Sequence, residues 1–129
     1  MSYDVLIVDD DPVVRALLTA LVGRAGWRAT SASGAQAALD HLAGTRCDLV
    51  ISDVNMPTMT GLELHERIRS DASLARLPVV LLSASADVGA VERQSDGLTL
   101  ALTKPVRPSS FVAELRAWMG RGVTESGTA

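Results

Sequence analysis

Carboxylate side chains follow two of the most apolar segments of the sequence. Residues 5–8 read Val-Leu-Ile-Val and precede Asp9 and Asp10, whereas residues 49–52 read Leu-Val-Ile-Ser and precede Asp53. Aliphatic runs of this kind are typical of strands that are covered on both faces, as in a parallel sheet. Because all strands of a parallel sheet end at the same edge, the three aspartates are predicted to form one acidic cluster there.

The chemistry of such a cluster favours a hard divalent cation. Two carboxylates about 4 Å apart repel each other by roughly 4 kcal/mol at an effective dielectric constant near 20. Mg²⁺ suits the cluster, with Mn²⁺ as the alternative, because it binds one or two carboxylates and completes its shell with water and phosphate oxygens. A single aspartate after a strand is also a common helix cap or turn residue, and Asp11 is best explained in this way.

Two further predicted strands end in polar residues. Residues 79–83 end in the hydroxyl of Ser83, and residues 100–104 end in the amine of Lys104. If these strands are neighbours of the other two, one edge presents carboxylates, a hydroxyl and an ammonium, which is the set that phosphoryl transfer requires. Taken alone, Ser83 fits a turn residue and Lys104 a solvated charge, so the prediction depends on their joint placement.

Strand-like and helix-like segments alternate along the whole chain, which predicts one α/β domain with a parallel sheet. Strands are predicted near 4–8, 27–31, 48–52, 78–83 and 99–103, and helices near 12–25, 34–43, 61–70, 87–95 and 109–119. The helix at 87–95 has few large apolar residues and is predicted to be the most mobile element. Residues 1–119 are predicted to form the domain, and the glycine-rich residues 120–129 a flexible tail or linker.

Composition limits the class of protein. A chain of 129 residues with 47% apolar residues, 21% charged residues and a net charge of −3 is an ordinary globular domain without a general attraction for nucleic acid. No apolar run approaches the roughly 20 residues that a membrane span requires. The single cysteine, Cys47, fits a reducing cytoplasm. The histidine at position 65 falls in a predicted helix on a mostly polar face, so His65 is predicted to be a surface histidine.

The order and spacing of these segments resemble the receiver domains of bacterial two-component response regulators, over residues 3–119. The matching stretches are residues 5–12, 33–34, 48–57, 61–62, 78–84 and 103–105. The resemblance implies a doubly wound, flavodoxin-like sheet of five parallel strands in the order 2-1-3-4-5, flanked by five helices.

The resemblance also implies a role for each residue of the predicted cluster. Asp53 would accept a phosphoryl group from the phosphohistidine of a partner. Asp10 would bind Mg²⁺ together with Asp53 and the backbone carbonyl of Asn55, and Asp9 would act mainly through metal-bound water. Lys104 would pair with Asp53 in the free protein and with the phosphoryl group afterwards.

Other positions would control switching. Ser83 would hydrogen-bond a phosphoryl oxygen and pull the following loop inward, and the Lys104–Pro105 bond would be cis. Asn55 and Ser85 would tune hydrolysis of the phosphate. The switch and tuning residues are therefore Ser83, Ala84, Ser85, Ala101 and Pro105.

The sequence departs from the family pattern before Lys104. Ala101 stands where an aromatic residue usually turns inward on activation, and Leu98 and Leu100 replace small residues. The chemistry loses no ligand through these changes. Our hypothesis is that output here depends on the loop after the fourth predicted strand and on the predicted helix 87–95.

The implied function is a cytoplasmic phosphoacceptor signalling domain, which is no enzyme beyond its own phosphorylation and dephosphorylation. Its expected partners are a sensor histidine kinase or histidine phosphotransfer protein and a downstream output domain or protein, with dimerisation on phosphorylation as a further option. Contact with nucleic acid or membrane is not expected. One alternative is a receiver-like binding module that works unphosphorylated, as Ala101 would allow. A nucleotide- or flavin-binding enzyme fits poorly, because three aspartates replace the phosphate-binding loop.

Overall fold

The computed structural model describes residues 3–83, 98–104 and 106–119. The strands are β1 (Asp4–Val8), β2 (Arg28–Ala32), β3 (Leu49–Asp53), β4 (Val79–Ser83) and β5 (Thr99–Thr103). The helices within the described ranges are α1 (Pro12–Arg24), α2 (Ala35–Gly44), α3 (Gly61–Ser70) and α4 (Pro108–Trp118). The predicted helix 87–95, the predicted tail and residues Ala84, Ser85 and Pro105 lie outside the described residues.

All five strands are parallel, in the order β2-β1-β3-β4-β5, which confirms the predicted topology. Val8 pairs with Ser52, so Asp9 comes level with Asp53 in the neighbouring strand. We call the two ends of the sheet the carboxyl edge (residues 9–11, 53–55, 83 and 103–104) and the amino edge (residues 3–4, 47–49, 77–79 and 98–99). The register therefore places every strand-terminal polar residue of the prediction at the carboxyl edge.

Apolar side chains pack on both faces of the sheet, and the central strands β3 and β4 are buried at every position. On one face, Leu64 and Ile68 of α3 belong to a cluster with side chains of α2 and of β1, β3 and β4. On the other face, Leu18 of α1 and Phe111 of α4 complete a second cluster. Burying a side chain of this size stabilises the fold by about 1.5–3 kcal/mol. The well-packed core on both faces thus fixes the positions of the strand ends.

Helices α1 and α3 begin directly beyond the carboxyl edge, and side chains cap the first turn of each, with Asp11 as the cap that the sequence predicts for α1. Asp11 accepts a hydrogen bond from the backbone N–H of Val13 at 2.9 Å, and Pro12 occupies the first turn of α1. Thr60 and Glu63 form a reciprocal capping box at the start of α3, with both bonds at 3.1 Å. Both helix N-termini lie close to the acidic residues, because α1 begins two residues after Asp10 and Gly61 of α3 packs against the Asp53 backbone.

The prediction for His65 needs correction. This side chain is half-buried, and its Nε2 lies 2.8 Å from Oγ1 of Thr99, the first residue of β5. One turn later in α3, Arg69 donates hydrogen bonds to the carbonyls of Leu77 and Leu98 at 2.6 and 3.0 Å. Helix α3 is therefore hydrogen-bonded to the residues that begin β4 and β5. The pattern of polar residues in α3 did not indicate these contacts.

None of the helices in the described ranges combines the length and the apolar character that crossing a membrane requires.

Candidate functional site

The structure brings the three predicted aspartates together at the carboxyl edge. Asp9 and Asp10 follow β1, Asp53 ends β3, and one carboxylate oxygen from each lies within 4.8 Å of the others. Asp9 and Asp53 are 1% and 6% exposed, whereas Asp10 is exposed. The cluster is thus buried on one side and open on the other, so a small ion or phosphate can reach it.

Lys104 reaches the same cluster from the end of β5. Its Nζ lies 3.1 Å from Oδ1 of Asp53 and 3.5 Å from Oδ2 of Asp9. The lysine side chain is 25% exposed, so these contacts are only partly screened by water. In the part of the chain that the structure describes, the cluster combines three carboxylates with the ammonium of Lys104, and the excess negative charge is what a divalent cation would neutralise.

Burial and the neighbouring charges shift the pKa values of Asp9 and Lys104. Burial raises the pKa of Asp9 and the charge of Asp53 adds to this effect, while a hydrogen bond from the backbone N–H of Asp11 and the charge of Lys104 oppose it. Burial alone would lower the pKa of Lys104, but hydrogen bonds and charges of Asp53 and Asp9 outweigh burial and raise it. Ionising Asp9 therefore costs more free energy in the folded protein than in the unfolded chain, and a bound cation would reduce this cost.

The backbone of Asp53 is held by its neighbours. The hydroxyl of Ser52 donates to the Asp53 carbonyl at 2.9 Å, and the N–H of Gly61 donates to the carbonyl of Val54 at 2.8 Å. A Cβ atom at position 61 would overlap the Asp53 carbonyl oxygen, so only glycine permits α3 to start this close. The sequence motif contained Gly61, but its contact with Asp53 required the structure.

The loop between β3 and α3 carries a strained residue. Thr58 has a φ of 70°, a left-handed conformation that costs a residue other than glycine roughly 1–2 kcal/mol. Asn55 lies in the same loop, two residues after Asp53, with its side chain exposed. The loop thus adopts an unusual backbone path next to the acidic cluster.

Ser83 and Ala101 lie in β4 and β5, within the strands that were predicted at 78–83 and 99–103. Ser83 is 1% exposed at the end of β4, one residue beyond the partner of Asp53, and its carbonyl accepts the backbone N–H of Lys104 at 2.9 Å. Ala101 is half-buried in β5 and packs against the core cluster that contains Leu64. A hydroxyl-bearing residue, an ammonium and a carboxylate therefore end three adjacent strands.

Arg15 contacts the cluster without having been predicted to do so. Its Nη1 donates to the backbone carbonyl of Asp9 at 2.7 Å from the first part of α1. A cation is unfavourable near a helix N-terminus, so an arginine near the start of the predicted helix 12–25 was a signal that could have been read from the sequence.

Comparison with known proteins gives one consistent family. The profile of the response regulator receiver domain matches residues 5–116. The probable transcriptional regulatory protein TcrX of Mycobacterium tuberculosis is 37% identical over 125 residues, which are 93% of this chain and 51% of TcrX. The sensor histidine kinase RcsC of Salmonella typhi is 39% identical over 118 residues, which are 91% of this chain and 12% of RcsC.

Solved structures of response regulators have the same fold as this chain. The chemotaxis response regulator CheY4 of Vibrio cholerae superposes with a TM-score of 0.82 at 29% identity, covering 92% of this chain and 99% of that chain. The chain thus spans a whole CheY4, about half the length of TcrX (51%) and a small part of RcsC (12%).

Proposed function

The chain belongs to the response regulator receiver domain family, and on this premise we propose that Asp53 is its phosphoacceptor. Receivers are signalling domains of two-component systems, and the relatives of this chain include a regulator and a sensor kinase. In the proposed reaction a carboxylate oxygen of Asp53 attacks the phosphorus of a phosphohistidine. The new O–P bond forms as the P–N bond breaks, and the imidazole leaves with the electron pair.

The proposal is carried by one observation: the carboxylate of Asp53 lies 3.1 Å from the ammonium of Lys104 and within 4.8 Å of two further carboxylates. The ion pairs of Lys104 with both side chains help to hold the Asp53 carboxylate beside Asp9. When the phosphoryl group arrives, the ammonium transfers its hydrogen bond from the carboxylate to a phosphoryl oxygen. Ser83 supplies a second donor from the end of β4.

The donor set fits a hard cation. Asp9, Asp10 and Asp53, with the backbone carbonyl of Asn55, would hold Mg²⁺, and Mn²⁺ would replace it. When bound, the cation supplies Lewis-acid stabilisation of the charge on the transferred group. The residues themselves orient the nucleophile, because the Asp53 backbone is held between Ser52 and Gly61.

Signal output is proposed to follow from the movement of Ser83. Ala101 lacks the aromatic ring that usually reports this movement in the family, so the change is proposed to pass through the segment after β4 and through β5 itself. Ser85 and Asn55 are proposed to tune hydrolysis of the aspartyl phosphate, which is the only other reaction proposed for the chain. Residues 84–97 lie outside the described part of the chain.

The proposed partners are a histidine kinase or histidine phosphotransfer protein, which supplies the phosphoryl group in the cytoplasm, and an output domain or protein that reads it. Direct contact with nucleic acid is not proposed for this segment. A binding module that works without phosphorylation is not favoured, because the carboxylates of Asp9, Asp10 and Asp53 beside the ammonium of Lys104 support phosphoryl transfer.

The test is incubation with acetyl phosphate and Mg²⁺, followed by intact-protein mass spectrometry. The wild-type protein should gain one phosphoryl group, and Asp53→Asn should gain none. Asp40→Asn, which removes an exposed carboxylate of α2, is the matched control and should behave like the wild type. Equal modification of Asp53→Asn and wild type, or no modification of the wild type, would contradict the proposal.

A further inference from the structure

The guanidinium of Arg15 binds the peptide group that joins two of the three clustered carboxylates. Its Nη1 lies 2.7 Å from the carbonyl oxygen of Asp9, and this carbonyl belongs to the peptide bond between Asp9 and Asp10. We propose that Arg15 is a positioning residue for the metal site, which holds this peptide so that the Asp10 carboxylate faces Asp9 and Asp53. The inference rests on the proposed function, since it assumes that the cluster binds a divalent cation.

Asp9 and Asp10 are held in different ways. Asp9 is buried, its N–H donates to the carbonyl of Ala32 at 3.2 Å, and its carboxylate accepts the N–H of Asp11 at 2.9 Å. The side chain of Asp10 is exposed, and no hydrogen bond to its carboxylate is found within residues 3–83, 98–104 and 106–119. The direction of the Asp10 side chain therefore depends on the orientation of its backbone, which is the group that Arg15 holds.

Local helix preferences do not explain an arginine at position 15. Helix α1 begins at Pro12 and is capped by Asp11, whose carbonyl accepts the N–H of Arg15 at 3.0 Å. A cation this close to the helix N-terminus is opposed by the helix dipole, whereas Arg24 in the last turn is favoured by it. The partly buried hydrogen bond from Arg15 to the Asp9 carbonyl, which is a tertiary contact, accounts for the arginine instead.

Charge and positioning predict opposite effects on metal binding. A positive charge beside the cluster repels a divalent cation, so removing the charge alone would tighten binding. Removing a group that orients a metal ligand weakens binding, typically by 10–100-fold. The sign of the change in affinity therefore separates a positioning residue from a neighbouring charge.

The experiment measures Mg²⁺ affinity of the unphosphorylated protein by isothermal titration calorimetry. Arg15→Met, which keeps much of the length but loses the donor and the charge, should raise the Kd roughly tenfold. Arg24→Met removes the same group from the exposed end of the same helix and should change the Kd by less than about twofold, since distant charges are screened. An unchanged or lower Kd for Arg15→Met would overturn the inference.

Arg15→Lys keeps the charge but loses the planar donor group, and it covers the case in which Arg15→Met does not fold. A Kd between those of the wild type and Arg15→Met supports positioning, as does a raised Kd if only the lysine variant folds. A Kd of Arg15→Lys equal to that of the wild type overturns the inference that Arg15 positions the metal site. Urea unfolding without metal shows which variants fold.

Asp10→Asn distinguishes failure of the inference from failure of the proposed function. If the wild type does not bind Mg²⁺, or if Asp10→Asn binds it as tightly as the wild type, the proposed metal site is wrong and the inference falls with it. If Asp10→Asn binds weakly and Arg15→Met binds like the wild type, the metal site stands and the inference alone is wrong.

Discussion

The amino edge and the carboxyl edge of the sheet both bury polar groups, but they treat these groups differently. At the amino edge, Asp48 accepts the backbone N–H of Asp4 at 2.8 Å, and Arg69 donates to carbonyls that precede β4 and β5. At the carboxyl edge, three carboxylates lie together, and the ammonium of Lys104 pairs with two of them, those of Asp9 and Asp53. One edge matches donors with acceptors, and the other keeps an excess of negative charge.

Polar residues at the amino edge therefore stabilise the fold, whereas those at the carboxyl edge form the candidate functional site. A buried polar group that finds its partner costs little and contributes order, whereas crowded like charges perturb one another's pKa and favour an external ligand. In this chain, helices α1 and α3 begin at the carboxyl edge, so their positive dipole ends also face that side. Substitutions at the amino edge should therefore affect stability alone, whereas those at the carboxyl edge should also affect phosphorylation.

The largest effect is expected for Gly61→Ala at the carboxyl edge. The added methyl would overlap the carbonyl of Asp53, so α3 or the phosphoacceptor backbone must move. We expect a loss of about 3 kcal/mol in the free energy of unfolding in urea, together with slower phosphorylation by acetyl phosphate.

Gly23→Ala is its control. The new methyl at position 23 meets nothing within 4 Å in α1, so the variant should be as stable as the wild type or more stable by about 0.5–1 kcal/mol. A Gly61→Ala protein with wild-type stability and wild-type phosphorylation would contradict the contact with Asp53.

A smaller effect, limited to stability, is expected for Arg69→Met at the amino edge. The substitution leaves the Leu77 carbonyl without its charged donor, which should cost about 2–3 kcal/mol in urea unfolding. Phosphorylation of the folded variant should keep its wild-type rate, because the whole length of the strands separates Arg69 from Asp53.

Arg67→Met tests whether this effect belongs to the contacts of Arg69. Arg67 is an exposed arginine of the same helix, and its substitution should stay within about 0.5 kcal/mol of the wild type. The comparison of the two edges fails if Arg69→Met slows phosphorylation while the remaining protein is fully folded.

The smallest effect is expected for Asp9→Asn, and its size depends on pH. Burial raises the pKa of Asp9 above its ordinary value of 3.8, so the folded protein binds this proton more tightly than the unfolded chain. The stability that Asp9 contributes is present below its ordinary pKa and is lost as pH rises through the folded pKa. In EDTA, Asp9→Asn should therefore gain stability relative to the wild type across this interval, by roughly 1 kcal/mol.

Urea midpoints of both proteins, measured between about pH 4 and pH 7, check this prediction. Adding Mg²⁺ should favour the wild type again, because the cation binds the ionised carboxylate. A stability difference that does not change with pH would show that the charge of Asp9 is already balanced within the fold.

Much of the fold could be read from local patterns. The aliphatic runs before Asp9 and Asp53 predict buried strands, and parallel strands necessarily bring their ends to one edge. The predicted bounds differ from the observed ones by a residue or so; β2, for example, is Arg28–Ala32, and Trp27 before it packs edge-on against Tyr3 with ring centroids 5.3 Å apart. Whether the domain ends at residue 119 and whether residues 87–95 form a helix stay predictions.

Patterns in the sequence are enough to predict the alternation of strands and helices, the cap of α1, and the acids and the lysine at the carboxyl edge. These depend on periodicity and on residues adjacent in the chain. The packed structure was needed to show that Arg15 binds the Asp9 carbonyl, that Gly61 contacts Asp53, and that Arg69 bonds to the chain before both β4 and β5. Such contacts depend on how far a side chain reaches between packed elements, and sequence spacing does not encode that distance.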